Sequence, residues 1–161
     1  VEVFDKAEKA KGEEKRKLYE RAATLLVQAV DDEPNHPEAP LALEKAALAL
    51  ERTDRYDSAA RLYQRIVDDI GKRKGKDPEE QKQLDRILAN AHFRLAYNAN
   101  RFFDFDRAVE NYRVLVDSPR FAKSEDANIR DQRQDALVNS GIILERLQQY
   151  PRAAEYYKRA A

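Results

Sequence analysis

The sequence contains no cysteine, methionine or tryptophan, and it has only four glycines and two histidines among 161 residues. Without cysteine there is no disulfide frame and no thiolate metal site, and nothing marks a redox compartment. Lys plus Arg and Asp plus Glu stand at 30 each, so no net field steers the chain toward nucleic acid or an anionic membrane. No apolar run approaches the roughly 20 residues of a membrane helix, and the N-terminus has no signal-peptide pattern. A soluble chain without membrane insertion is therefore expected. The missing methionine, together with an end at Ala160-Ala161 inside an expected helix, suggests a segment of a longer protein.

Charged residues make up 37% of the chain, a level that would fit disorder if the apolar residues were scattered. They are not scattered. Tyr56, Ala59, Tyr63 and Ile66 return as Phe105, Ala108, Tyr112 and Leu115, and again as Tyr150, Ala153, Tyr157 and Ala160. A fainter copy is Tyr19, Ala22, Leu26 and Ala29. Those offsets place the small, aromatic and aliphatic members on one face of a helix. Upstream of each strong copy a second pattern falls on Leu43, Ala46, Ala47 and Leu50, then His92, Leu95, Ala96 and Ala99, then Leu137, Ser140, Gly141 and Leu144.

These two patterns resemble the tetratricopeptide repeat family, whose unit of about 34 residues is a pair of antiparallel helices. The resemblance implies an all-α, right-handed superhelical solenoid of helix hairpins, with pairs at approximately 1–34, 38–71, 77–117 and 124–161. Ala47, Ala96 and Gly141 take the place where the two helices of a pair touch. The anchors Tyr19, Tyr56, Phe105 and Tyr150 are 37, 49 and 45 residues apart, so the repeats are stretched. The resemblance also points to bacterial members of the family in cell-envelope or gliding-motility assemblies, in periplasm or cytoplasm.

In chain order, residues 1 to 11 read as a short helix ended by Gly12, and a long helix follows from about Glu13 to Asp32. Pro37 and Pro40 require the next helix to start near Glu38, and it runs to about Arg52. The motif helix Tyr56 to Ile70 ends at Gly71. Asp77-Pro78-Glu79-Glu80 supplies a cap, a first-turn proline and two acids, starting a helix that runs to about Asn100. Phe105 to Val116 is the next helix. Ser118 to Ser124 is a loop, Ser124 caps a helix from Glu125 to Gln148, and Pro151 opens the last one. No stretch alternates with period two, so no sheet is expected.

Little in the sequence supports catalysis. His36 lies in a Pro-flanked turn and His92 occupies a packing position. There is no phosphate loop, HExxH, nucleophile elbow or Cys/His cluster, so the chain reads as non-enzymatic, with no cofactor and no metal. Asp31-Asp32 and Asp68-Asp69 sit at helix ends, where adjacent carboxylates point apart. Lys72, Arg73, Lys74 and Lys76 form a basic loop without interleaved aromatics, a poor match to a nucleic-acid contact.

The resemblance implies a protein or peptide partner held on the inner faces of the first helices. By register these faces carry Leu41, Glu44, Lys45 and Leu48, then Asn90, Phe93, Arg94 and Tyr97, then Val138, Asn139, Ile142 and Glu145. Family members that grip a chaperone's C-terminal carboxylate use a Lys, Asn, Asn, Lys, Arg set. Here one register offers Ala7, Lys11, Lys45, Asn90 and Arg94, and the next offers Glu44, Leu48, Arg94, Asp135 and Asn139. Neither is the clamp, so the expected role is a scaffold or adaptor with apolar anchors and a few polar contacts. An alternative is a regulatory helical domain of a larger enzyme or signalling protein.

If the motif tyrosines and alanines seat helices on one another, Tyr63→Ala costs about 3–5 kcal/mol through a cavity and Ala108→Leu about 1–3 kcal/mol through overpacking. Urea unfolding curves measure both. Midpoints equal to the parent's would show that these positions do not pack.

Overall fold

The computed structural model describes residues 2–161, and among them every regular element is an α-helix. Val1, the first residue of the expected opening helix, lies outside the described residues. The chain divides into two compact units, one ending at Arg73 and the other beginning at Lys74.

The first unit contains α1 (Glu2–Lys9), α2 (Gly12–Asp32), α3 (Ala39–Glu51) and α4 (Tyr56–Ile70). Consecutive helices pack as antiparallel neighbours. Gly12 opens α2 rather than closing α1. Its φ of +57° belongs to the left-handed region that glycine enters without a Cβ penalty. Phe4 of α1 meets Tyr19 of α2 edge-on at 5.4 Å, and around them Ala7, Ala22, Ala23 and Leu26 close a core with Ala46 and Ala49 of α3. Ala46, Ala47 and Ala49 are wholly enclosed, so α3 presents almost bare backbone to its neighbours. Gly71 closes α4 as expected, with a right-handed φ of −51°.

The second unit contains α5 (Pro78–Arg101), α6 (Phe105–Asp117), α7 (Pro119–Ala122), α8 (Ala127–Arg146) and α9 (Tyr150–Ala160). The α5–α6 and α8–α9 pairs are the hairpins, and α6 and α5 both pack against α8. Asp77 starts α5 as expected, accepting from the Glu80 N–H at 2.8 Å. The stretch expected to be a plain loop instead contains α7, a single turn whose Phe121 is buried. Pairs of opposite charge tie this connection to the first turns of α5: Asp85 holds Arg120, and Arg86 holds Asp126 at 2.6 Å. Arg133 of α8 donates to the carbonyls of Leu115, Val116 and Ala122, occupying acceptors that the ends of α6 and α7 leave open.

The cap of α8 is Asp126, not Ser124. Its carboxylate accepts from the N–H groups of Asn128 and Ile129. The bond from Arg86 and those N–H groups hold it below the usual carboxylate range. Ser124 supports the cap from behind by accepting from the Asp126 N–H at 3.3 Å.

Three hairpin turns share one closure. Asp54, Phe103 and Gln148 have φ of 60°, 63° and 58°, and the next residue's N–H reaches back to the first helix. Arg55 donates to Leu50, Asp104 to Ala99 and Gln149 to Leu144, at 2.9, 2.9 and 2.8 Å. This is the six-to-one bond of a Schellman motif, built without glycine at the left-handed position.

Of the motif positions, Ala59, Ala108 and Ala153 are buried, as are Tyr63 and Tyr112. Tyr157 departs from the expectation. It is only partly covered, and its neighbour Tyr156 is the buried one. The Tyr157 ring instead lies over Gly141, where an added Cβ would come within 2.5 Å of Cε1, and its hydroxyl donates to Glu145 at 2.9 Å. Gly141→Ala should therefore destabilise the protein by about 1–3 kcal/mol. In a Tyr157→Ala background the same change should cost much less, because the clashing ring is gone. A double-mutant cycle by chemical denaturation measures the difference, and additive effects would refute the contact.

Candidate functional site

The expected inner-face residues fall into two groups, one in each unit. In the first unit, Leu41, Glu44, Lys45 and Leu48 are all half-buried on α3. Leu48 gives part of its surface to the core around Phe4 and Tyr19, so it is less available than its register implies.

In the second unit the other eight lie on the adjacent helices α5 and α8. The base of this wall is aromatic: Phe93 packs edge-on against Tyr112 of α6 at 5.7 Å. Asn139 donates to the Tyr112 hydroxyl at 3.3 Å, and Asn90 accepts from Gln132 at 3.2 Å. Burial pushes the Tyr112 phenol up to about 12. The Asn139 bond opposes that shift, and the Asp135 carboxylate adds to it. Above this base, Tyr97, Val138 and Ile142 stand 44%, 37% and 38% exposed, a high fraction for side chains of their size on packed helices. Arg94 lies over the Tyr97 ring at 5.5 Å.

Sequence reasoning left Asp131 out of this wall, and it gave Tyr112 and Asp135 other places, as packing and as a clamp-register position. The Tyr112 hydroxyl, which the repeat pattern treats only as packing, also holds Asn139 in place. Asp131 and Asp135 precede Val138 and Ile142 on α8 at helical spacing, and Asp135 is near enough to shift Tyr112. That signal was readable as positions 131, 135, 138 and 142. Elsewhere, Phe102 and Phe103 form an exposed aromatic tip at the α5–α6 turn.

Two other concavities lie apart from the wall. One of about 540 Å³ in the second unit includes Asp85 and Asp126, but Arg120 and Arg86 already hold both carboxylates. Another of about 440 Å³ in the first unit, between the end of α2 and the start of α3, includes exposed His36. His36 Nδ1 accepts from the Glu38 N–H at 3.2 Å, which gives it a turn-forming role. Among the described residues, no three His, Cys, Asp or Glu side chains are grouped to hold a metal ion. No helix there is long and apolar enough to cross a membrane.

His92 is buried where α5 meets α6, with Nδ1 3.0 Å from Asn111 Oδ1. Burial holds its pKa below the ordinary value, and the Asn111 bond only partly offsets this. That arrangement is structural, since the ring is enclosed and paired rather than presented to a cleft.

Two family models match the chain, both described as tetratricopeptide repeat, one over residues 8–78 and the other over residues 136–161. No curated protein and no solved structure matches it. The stretch between the two matches holds α6, α7 and nearly all of α5, where the repeat is lengthened.

The depressed pKa of His92 sets a direction for acid sensitivity. The neutral ring is favoured in the folded state, so its contribution is complete above about pH 6.5 and is lost as pH falls through the lower folded value. Replacement by glutamine, which removes the titration, should give a protein whose melting temperature drops less than the parent's between about pH 7.5 and about pH 5.5. Parallel pH profiles would exclude His92 as a source of acid lability.

Proposed function

The chain belongs to the tetratricopeptide repeat family, and from that premise we propose that the α5–α8 wall is where it holds a peptide or a partner helix. Repeats of this family mediate protein–protein interaction, and the lengthened hairpins of this chain fit an adaptor within a multiprotein assembly. The carrying observation is the exposure of Tyr97, Val138 and Ile142 on a base fixed by Phe93, Tyr112 and Asn139. Exposed apolar side chains on a rigid, hydrogen-bonded support are the usual makeup of an anchor site, because binding them costs little ordering. Asn90, Arg94 and Asn139 supply the polar contacts around the anchors. On α3 of the first unit, Leu41, Glu44, Lys45 and Leu48 are the register equivalents, with Leu48 in the smaller role that its packing leaves.

Tyr97 and Ile142 can be removed without opening a core. The Tyr97→Ala/Ile142→Ala protein should melt close to the parent while losing about tenfold or more in affinity for a partner that the parent captures. Side-by-side pull-downs from a bacterial lysate, followed by a titration with the recovered partner, measure this. Equal recovery by the two proteins would remove the wall as the binding surface.

A further inference from the structure

The charges along the wall are not symmetrical. On α8 the exposed face runs Asp131, Asp135, Val138, Ile142, Glu145, one helical stripe with an apolar middle and carboxylates at both ends. Glu145 is engaged by the Tyr157 hydroxyl at 2.9 Å. Asp131 and Asp135, four residues apart, repel one another, and among the described residues neither meets a cation at ion-pair distance. Three other acids of this unit behave differently: Asp85, Asp117 and Asp126 are each held by an arginine. Beside the free carboxylates, Gln132 donates to Asn90 while its own Oε1 finds no donor, so this end of the wall is short of donors. The cation facing it from α5, Arg94, is stacked over Tyr97.

Resting on the reading of the wall as the binding surface, we propose that its partner is a basic segment in which lysine or arginine flanks two apolar residues. The apolar pair would lie against Tyr97, Val138 and Ile142, and the flanking cations would reach Asp131 and Asp135. Those carboxylates gain partners only on binding, so they favour association and reject an acidic segment through like charge. From Asp131 to Glu145 the stripe is about 21 Å long at the helical rise, the length of about four turns of a partner helix or about six extended residues. An acidic C-terminal tail, the ligand of a carboxylate clamp, meets the wrong charge here.

The test uses the whole chain as bait for a random dodecapeptide library. The strongest peptide recovered is then titrated by fluorescence anisotropy against the parent, Asp131→Asn/Asp135→Asn and Tyr97→Ala/Ile142→Ala. Both Asn positions are exposed and unpaired, so that variant keeps its fold. The expected peptides carry Lys or Arg beside an apolar pair, on the side that meets Asp131 and Asp135. The Asn variant should bind them about fivefold more weakly at low salt, with the difference shrinking as salt is raised. Acidic or uncharged peptides, or an Asn variant that binds like the parent, would overturn the basic partner, and the wall itself would stand if Tyr97→Ala/Ile142→Ala still weakened binding. Undiminished binding by that apolar variant would instead overturn the wall as the site. A library that yields no binder would overturn both.

Discussion

Close approach of helix backbones at alanine and glycine is the constraint on which the rest of this protein depends. Ala59, Ala96, Ala108 and Ala153 are buried to within a few per cent, and Gly141 has room for no more than a hydrogen beneath the Tyr157 ring. With helices this near, large side chains collect beside the points of closest approach, and Tyr112 is a clear case: it sits on α6 and touches Phe93 of α5 and Asn139 of α8. The same tyrosine is thus both filler and hydrogen-bonding post, and the side chains above it inherit a fixed base. Packing density in the interior and precision on the surface have one origin here.

Lengthening the repeat did not loosen it. The first turns of α5 extend past the α6 hairpin, and they are used by the connection that contains α7. The Asp85–Arg120 and Arg86–Asp126 pairs, the buried Phe121 and the three bonds from Arg133 hold that connection down. One residue does double duty at this point, since Asp126 both caps α8 and anchors it to α5. The inserted residues therefore belong to the packed unit, which is consistent with α5 and α8 remaining side by side.

Helix identities were legible because periodic apolar residues and caps agree, as in the Tyr56–Ile70 helix and the Asp77-Pro78 start. The errors have local causes. Ser124 and Asp126 are both good caps two residues apart, and only a distant arginine decides between them. The turn of α7 has too few residues for periodicity to register. At the wall, register chose Tyr97, Val138 and Ile142, which are exposed, together with Asn90, Phe93, Arg94 and Asn139, which are half-buried. It could not reveal that Leu48 leans into a core, or that Asp131 and Asp135 are left without partners. Those facts depend on neighbours far along the chain.

The three Schellman turns carry one more implication. Backbone bonds from Arg55, Asp104 and Gln149 close these corners, and the left-handed residue adds only a local contact: Asp54 accepts from the Tyr56 hydroxyl, and Phe103 packs edge-on against Phe105. An L-residue there carries a strain of about 1 kcal/mol, which the closing backbone bond helps to hold. The corners can therefore exchange acid, ring or amide while the hairpins behind them stay the same. Each is a position where the residue can vary while the backbone closure stays the same.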